Sequence, residues 1–198
     1  MSAPWLIVGL GNPGARYARN RHNVGHMAIE VLAGRTGSRL STHRARARVA
    51  EARLGLLPGG APGPRAVLAA PASFMNASGG PVKALLDYYG VDAGQGLLVI
   101  HDELDLPAHE LRLKRGGGEG GHNGLRSISS VLGTRDYARL RVGVGRPPGR
   151  QDAADFVLSD FPARERDDLA VTLEQAADAV EQVLVEGFEA AQQRLHSA

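Results

Sequence analysis

The chain has no cysteine. Disulfides and thiolate zinc sites are therefore excluded, no thiolate is available as a nucleophile, and the composition suits a reducing cytoplasm. No basic segment followed by an apolar stretch opens the chain, so a secretory leader is not expected. No apolar run approaches the roughly 18 residues that cross a bilayer, so membrane insertion is not expected either. There is no Gly-x-Ser-x-Gly elbow to present a nucleophilic serine. Neither an internal repeat nor a shift of composition marks a domain boundary.

What is present is a chain of 198 residues, 43% hydrophobic, a length that suits one domain with a full core. The formal net charge is only +2, with an isoelectric point near 9.3, but the charge is uneven. Arginines gather over 16–21, 35–53 and 112–150, and the C-terminal third is acidic. Uneven basic surface is the footprint of a polyanionic partner. Apolar periodicity predicts strands over 5–10, 48–56, 66–70, 97–101, 111–115 and 138–145. It predicts helices over 24–33, from 78 to 89, and over 125–132, 163–185 and 188–195. Residues 35–48 read as basic loop, and 58–64 as the flexible tip of a hairpin. Alternating strands and helices give an α/β class with a largely parallel or mixed sheet.

The organising stretch is Leu6-Ile7-Val8-Gly9-Leu10-Gly11-Asn12-Pro13-Gly14, followed by Tyr17 and Arg21-His22-Asn23. An apolar strand ends in a glycine turn, the favoured ligand position of an open α/β sheet. Gly9, Gly11 and Gly14 match the dinucleotide spacing G-x-G-x-x-G. Three features oppose that reading. Pro13 sits inside the loop, the next helical pattern starts only near Val24, and no acidic residue ends a second strand at the required distance.

His22 is the leading candidate base, because imidazole titrates near neutrality. Its loop would meet the end of the central strand, where Asp102 would accept from the ring N–H, unless Asp102 merely caps a turn. His26, His43, His109 and His196 have no supporting context. His101-Asp102-Glu103-Leu104-Asp105 has metal-ligating residue types, but neighbours on a strand point to opposite faces and cannot converge, so no metal is expected. Asn12, Asn76 and Asn123 lie in or beside glycine-rich loops; their neutral amides suit a peptide or an oxyanion, although each alone is an ordinary turn former. Arg112, Lys114 and Arg141 flank the loop 116–124 and would hold a phosphate, or else form a solvated strand face.

Several segments taken in order go further. Gly9-Leu-Gly-Asn-Pro-Gly14, Tyr17, Arg21-His-Asn23, Ser73-Phe-Met-Asn76, His101-Asp-Glu-Leu-Asp105 and Gly116-Gly-Gly-x-Gly-Gly-His-Asn-Gly124 stand in the order and spacing of the bacterial-type peptidyl-tRNA hydrolases. Arg139 to Pro147 and Asp155 to Phe161 match as well. The chain resembles that family over nearly its whole length, apart from 35–66 and the last helix.

The resemblance implies a single domain over 1–198, a twisted mixed sheet between helices, monomeric and without cofactor or metal. It implies cleavage of the ester between a peptide and the 3′ ribose of tRNA, in the cytoplasm. It puts the water-activating histidine on His22, its partner on Asp102, and the ester-polarising asparagine on Asn12. Met75, Asn76 and Asn123 would line the peptide cleft, Tyr17 would lie near the tRNA 3′ end, and Lys114 with Arg141 would clamp the 5′ phosphate. Arg112 stands where the family often has a second lysine, and a guanidinium fork is not a point charge. The rival readings are a non-catalytic RNA-binding relative, which predicts a degraded His/Asp pair, and a dinucleotide-dependent oxidoreductase, which leaves three asparagines unused.

Overall fold

Residues 2–198 are described by a computed structural model, and a seven-stranded sheet runs through them. Its strands are β1 (Trp5–Gly9), β2 (Ser41–His43), β3 (Ala47–Arg53), β4 (Arg65–Pro71), β5 (Leu97–Glu103), β6 (Leu111–Arg115) and β7 (Ala138–Gly143). The helices are α1 (Val24–Arg35), α2 (Gly79–Tyr89), α3 (Ala93–Gly96), α4 (Asn123–Leu132), α5 (Ala153–Val157), α6 (Arg166–Glu186) and α7 (Phe188–Ser197). The strand order is β2-β3-β4-β1-β5-β7-β6. β4, β1, β5 and β7 are parallel, and the pairings at both edges are antiparallel. This is a single-domain α/β fold with a mixed sheet between helical layers.

The period of two along β1 divides the core. Ile7, with Leu68, Leu98 and Leu140, packs on α1, α6 and α7. Leu6 and Val8, with Val67, Leu97 and Val99, pack on α2 and α4. Because β1 and β5 are covered on both faces, they read as unbroken apolar runs. At their carboxyl ends, β1 stops at Gly9, paired to Ile100, and β5 runs on beyond it to Glu103. That end of the sheet carries the polar motifs.

Close approach explains the glycines better than a dinucleotide does. A Cβ on Gly9 would lie 2.0 Å from the Gly25 carbonyl oxygen, and one on Gly25 would lie 2.4 Å from Leu10 N and 2.5 Å from Ile100 O. Glycine at both positions lets α1 rest directly on the strand ends. An eleven-residue loop and a 3-10 turn, Arg21–Asn23, precede that helix, so β1 does not open into a phosphate-binding helix.

The structure differs from the sequence reading at several points. β2 falls inside 35–48, read as loop; it is short, polar and partly exposed, and owes its form to pairing with β3. α5 has five residues, too few for a periodic signal. α6 begins at Arg166 because Ala163–Glu165 forms a separate 3-10 turn. Among the described residues no helix is long and apolar enough to cross a membrane.

The outer edge of β6 is closed by side chains rather than by another strand. Gln192 Nε2 donates to the Leu113 carbonyl at 3.0 Å, and Leu113 N–H donates to His196 Nε2 at 3.1 Å. Both residues belong to α7, four positions apart and so on one face. This pair supplies one donor and one acceptor where a neighbouring strand would.

The packing of α1 on the strand ends yields a direct expectation. Gly25→Ala forces a methyl group into backbone atoms that cannot move aside, which costs roughly 1–3 kcal/mol or more. Thermal unfolding followed by circular dichroism should show a clearly lowered Tm; an unchanged Tm would mean that α1 can ride higher on the sheet without penalty.

Candidate active site

Asp102 lies at the carboxyl end of β5 and is 4% exposed. His22 comes from the 3-10 turn after β1, and its Nδ1 is 2.8 Å from Asp102 Oδ2. His122 lies beside His22, ring centroids 4.9 Å apart, with Nε2 2.8 Å from Asp102 Oδ1, an oxygen also 3.0 Å from His22 Nδ1. The tautomer of His122 follows from its second nitrogen. Nδ1 accepts from the amides of Gly124 at 3.1 Å and Leu125 at 3.4 Å, capping α4. With Nδ1 an acceptor, Nε2 carries the proton and donates to the carboxylate. His22 likewise donates through Nδ1, which leaves its Nε2 uncommitted on a ring that lines a cavity.

Burial works against the charge on Asp102. The His122 and His22 imidazoles outweigh it and hold the carboxyl well below the usual carboxylate range. His101, fully buried one residue earlier, is pushed down to about 3 by burial first and by His122 second. Its Nδ1 lies 2.8 Å from the Asp102 carbonyl, an acceptor, so it serves the backbone as a neutral ring.

The cavity has a volume of about 320 Å³. Asn12, His22, Met75, Asn76, Asp102 and Asn123 all line it. Asn12 is held by a reciprocal lock: its backbone N–H donates to Asn23 Oδ1, and Asn23 Nδ2 donates to the Asn12 carbonyl, each at 2.9 Å. Asn12 Oδ1 accepts from Met75 N at 2.7 Å. Since Met75 N can only donate, the amide orientation is fixed, and Asn12 Nδ2 remains an uncommitted donor. Asn76 and Asn123 are exposed at the mouth, on the loop before α2 and the first residue of α4.

Tyr17 does not line the cavity. It stands edge-on to Phe74, ring centroids 6.3 Å apart, and Phe74 forms the rim. Lys114 and Arg141 share a neighbouring recess of about 190 Å³, joined to the cleft through Glu103 and Gly120, which border both. Arg141 Nε donates to Glu103 Oε1 at 3.0 Å. Arg112 is separated from them: it pairs with Glu110 and faces the cavity beneath α6 and α7.

The sequence reading missed two features. His122 was one letter of a glycine-loop motif, and histidine is not among the usual N-cap residues. Its place just ahead of a helix was the available signal. The other is the wall formed by Ala154, Val157 and Leu158 of α5 and its continuation. The reading also dismissed metal ligands on the ground that strand neighbours diverge. Among the described residues, His22, Asp102 and His122 do converge, with ligand atoms within 4.8 Å of one another. A cation there would have to displace both N–H protons that now hold the carboxylate, so this donor set fits protons better than a metal.

An imidazole paired to a buried carboxylate, with its second nitrogen unspent and neutral amides around it, defines the framework of a hydrolytic enzyme. Comparison with known proteins narrows this class. The model of the peptidyl-tRNA hydrolase family matches residues 6–198. A peptidyl-tRNA hydrolase of Kineococcus radiotolerans is 62% identical over 197 residues, covering 100% of this chain and 99% of its own. That of Frankia casuarinae is 61% identical over 194 residues, covering 98% and 94%. The crystal structure of peptidyl-tRNA hydrolase from Acinetobacter baumannii superposes with a TM-score of 0.84 at 35% identity, covering 98% of this chain and 95% of that one. The chain belongs to the peptidyl-tRNA hydrolase family.

The buried neutral histidines set a pH dependence. Burial, and then Arg48, pushes His26 down to about 4, beside about 3 for His101. From the ordinary value of 6.5 downward, the unfolded chain takes up protons that these folded rings refuse. Stability should therefore be full above pH 6.5 and fall as pH drops toward 4. Urea unfolding at several pH values should show this slope, and it should be shallower in His26→Gln. An identical slope in both proteins would assign the acid sensitivity elsewhere.

Proposed function

We propose that this chain hydrolyses peptidyl-tRNA, cleaving the ester between the peptide and the 3′ ribose and releasing both, with water as the attacking group. The observation that carries the site assignment is the placement of His22: Nδ1 is spent on Asp102, and the ring lines the cavity with its second nitrogen uncommitted. In this reading Nε2 takes a proton from water as the water attacks the ester carbonyl. Asp102 stabilises the imidazolium that forms, and His122 keeps the carboxylate in place through Oδ1, the oxygen both rings reach. Asn12 Nδ2 donates to the carbonyl oxygen as negative charge develops there, assisted by the N-terminal end of α4. The proton then passes from His22 to the departing ribose oxygen, so no covalent intermediate is needed.

Met75, Asn76 and Asn123 are assigned to the peptide. Their neutral amides suit an N-acylated residue, and an aminoacyl-tRNA would bring an ammonium with no partner. Tyr17, behind Phe74, is assigned to the 3′ end of the tRNA. Lys114 and Arg141 are assigned to its 5′ phosphate, with Glu103 tempering Arg141 until RNA arrives. On this reading residues 1–198 act as one monomeric domain in the cytoplasm, in translation. An RNA-binding relative without activity is disfavoured by the intact His22–Asp102 bond. An oxidoreductase is disfavoured by the loop between β1 and α1.

His22→Ala should lower kcat by about 10²–10⁴-fold, the usual cost of a general base, with tRNA binding and fold retained. Release of labelled peptide from peptidyl-tRNA measures it, and activity within a few-fold of the parent protein would remove His22 from the mechanism. Lys114→Ala should mainly raise KM and reduce its salt dependence, without affecting a minimal ester that lacks the tRNA body. Equal losses on both substrates would contradict the clamp.

A further inference from the structure

Arg21 precedes the proposed base, and the mechanism gives it no task. Its side chain is 8% exposed, yet its guanidinium donates only to neutral oxygens. Ser159 Oγ accepts at 2.5 Å and the Asp160 carbonyl at 3.2 Å, with the Phe156 and Ser159 carbonyls at 3.4 Å. The guanidinium carbon also lies 4.0 Å from the ring centroid of Phe156 and 5.7 Å from that of Phe161. A buried cation is costly unless its donors are satisfied. Here one arginine gathers acceptors and ring faces from a single distant segment, 156–161.

The backbone joins the same two segments. Arg21 N–H donates to the Ser159 carbonyl at 3.1 Å, and Phe161 N–H donates to the Arg19 carbonyl at 3.2 Å. Asn20 Nδ2 donates to Asp160 Oδ1 at 2.7 Å. The turn bearing His22 is thus stitched to the end of α5 and the residues after it. α5 needs such a tie, because five residues do not hold a helix in place alone. Its role in the cleft is plain: Ala154, Val157 and Leu158 line the cavity that His22 faces.

We propose that Arg21 is a positioning residue that locks the α5 wall of the cleft to the turn carrying the base. An acyl chain long enough to lean on Val157 and Leu158 is thereby set in register with His22. A short acyl group, which does not reach that wall, gains nothing from the lock. The proposal rests on the reading of His22 as the base and of the cavity as the acyl site.

The test compares a tripeptidyl-tRNA with an N-acetyl-aminoacyl-tRNA. Arg21→Gln should raise KM for the tripeptidyl substrate about tenfold, as expected for loss of a buried cation–ring and hydrogen-bond cluster. KM for the short substrate should stay within about twofold and the pH profile of kcat should not move. Arg21→Lys keeps charge over Phe156 and should recover part of the loss. Phe156→Leu should reproduce the substrate split, and the double variant should be no worse than the single ones, because both remove one contact. Should Arg21→Gln fail to fold, Ser159→Ala removes only the nearest acceptor and is expected to show the same split. Equal losses on both substrates, no loss on either, or additive losses would overturn the lock. His22→Ala assayed alongside separates the two readings. If that variant is still active, the base falls and the proposal with it; if it is inactive and no split appears, the lock alone falls.

Discussion

A single carboxylate held between two imidazoles is the constraint on which the rest of the site depends. Asp102 is buried and ionised, a state that costs several kcal/mol unless its oxygens are well bonded. The donors come from separate parts of the chain, His22 from the turn before α1 and His122 from the cap of α4. Three elements therefore meet on one charge. His122 is doubly committed, because the nitrogen that caps α4 also fixes which nitrogen carries the proton for Asp102. Folding and site geometry use the same bonds here: a helix cap sets a tautomer, and the tautomer holds the carboxylate that orients His22.

The asparagines extend this economy to the opposite wall. Asn23 follows His22 in sequence and grips the backbone of Asn12 from both sides. Asn12 in turn grips Met75 N, so the loops after β1 and β4 are tied together above the sheet. A neutral amide placed in this way is aimed without being charged. That suits the oxyanion contact proposed for Asn12, since an amide leaves neighbouring groups electrically undisturbed. The burial of Gly9 and Gly25 against each other belongs to the same design, since it lets α1, and the turn ahead of it, sit low over the strand ends.

Much of this was legible in the sequence because it was carried by local pattern. β1 and β5 announced themselves as unbroken apolar runs, Gly90 marked the end of α2, and β6 was bounded as observed at 111–115. His22, Asp102, Asn12, Met75, Asn76 and Asn123 were all named, and they meet at one cavity. What stayed hidden was set by tertiary contact. β2 exists because β3 offers it a partner, and α5 is a single short helix capped by Asp152 and followed by residues bonded to Arg21. His122 was hidden for a chemical reason, since capping by an imidazole nitrogen lies outside the usual list of oxygen caps. Register places Arg112 beside Arg141, yet Glu110 draws it to the far side of the edge strand. Sequence spacing can place a residue on a strand but cannot tell which neighbour will claim its charge.

The pairing of α7 with the rim of β6 has a consequence in time. Leu113 and the histidine that covers it are 83 residues apart in the chain. At about 5–20 residues per second on the ribosome, β6 exists for several seconds before its cover has been made. Throughout that interval its free N–H and C=O groups form an open template for any other extended chain. Lys114 and Arg112 on this strand then act as guards before they act as anything else, since charge on an exposed edge discourages pairing with strangers. Lys114, assigned above to nucleic acid, thus shares with Arg112 an earlier duty, keeping the growing chain to itself until α7 arrives.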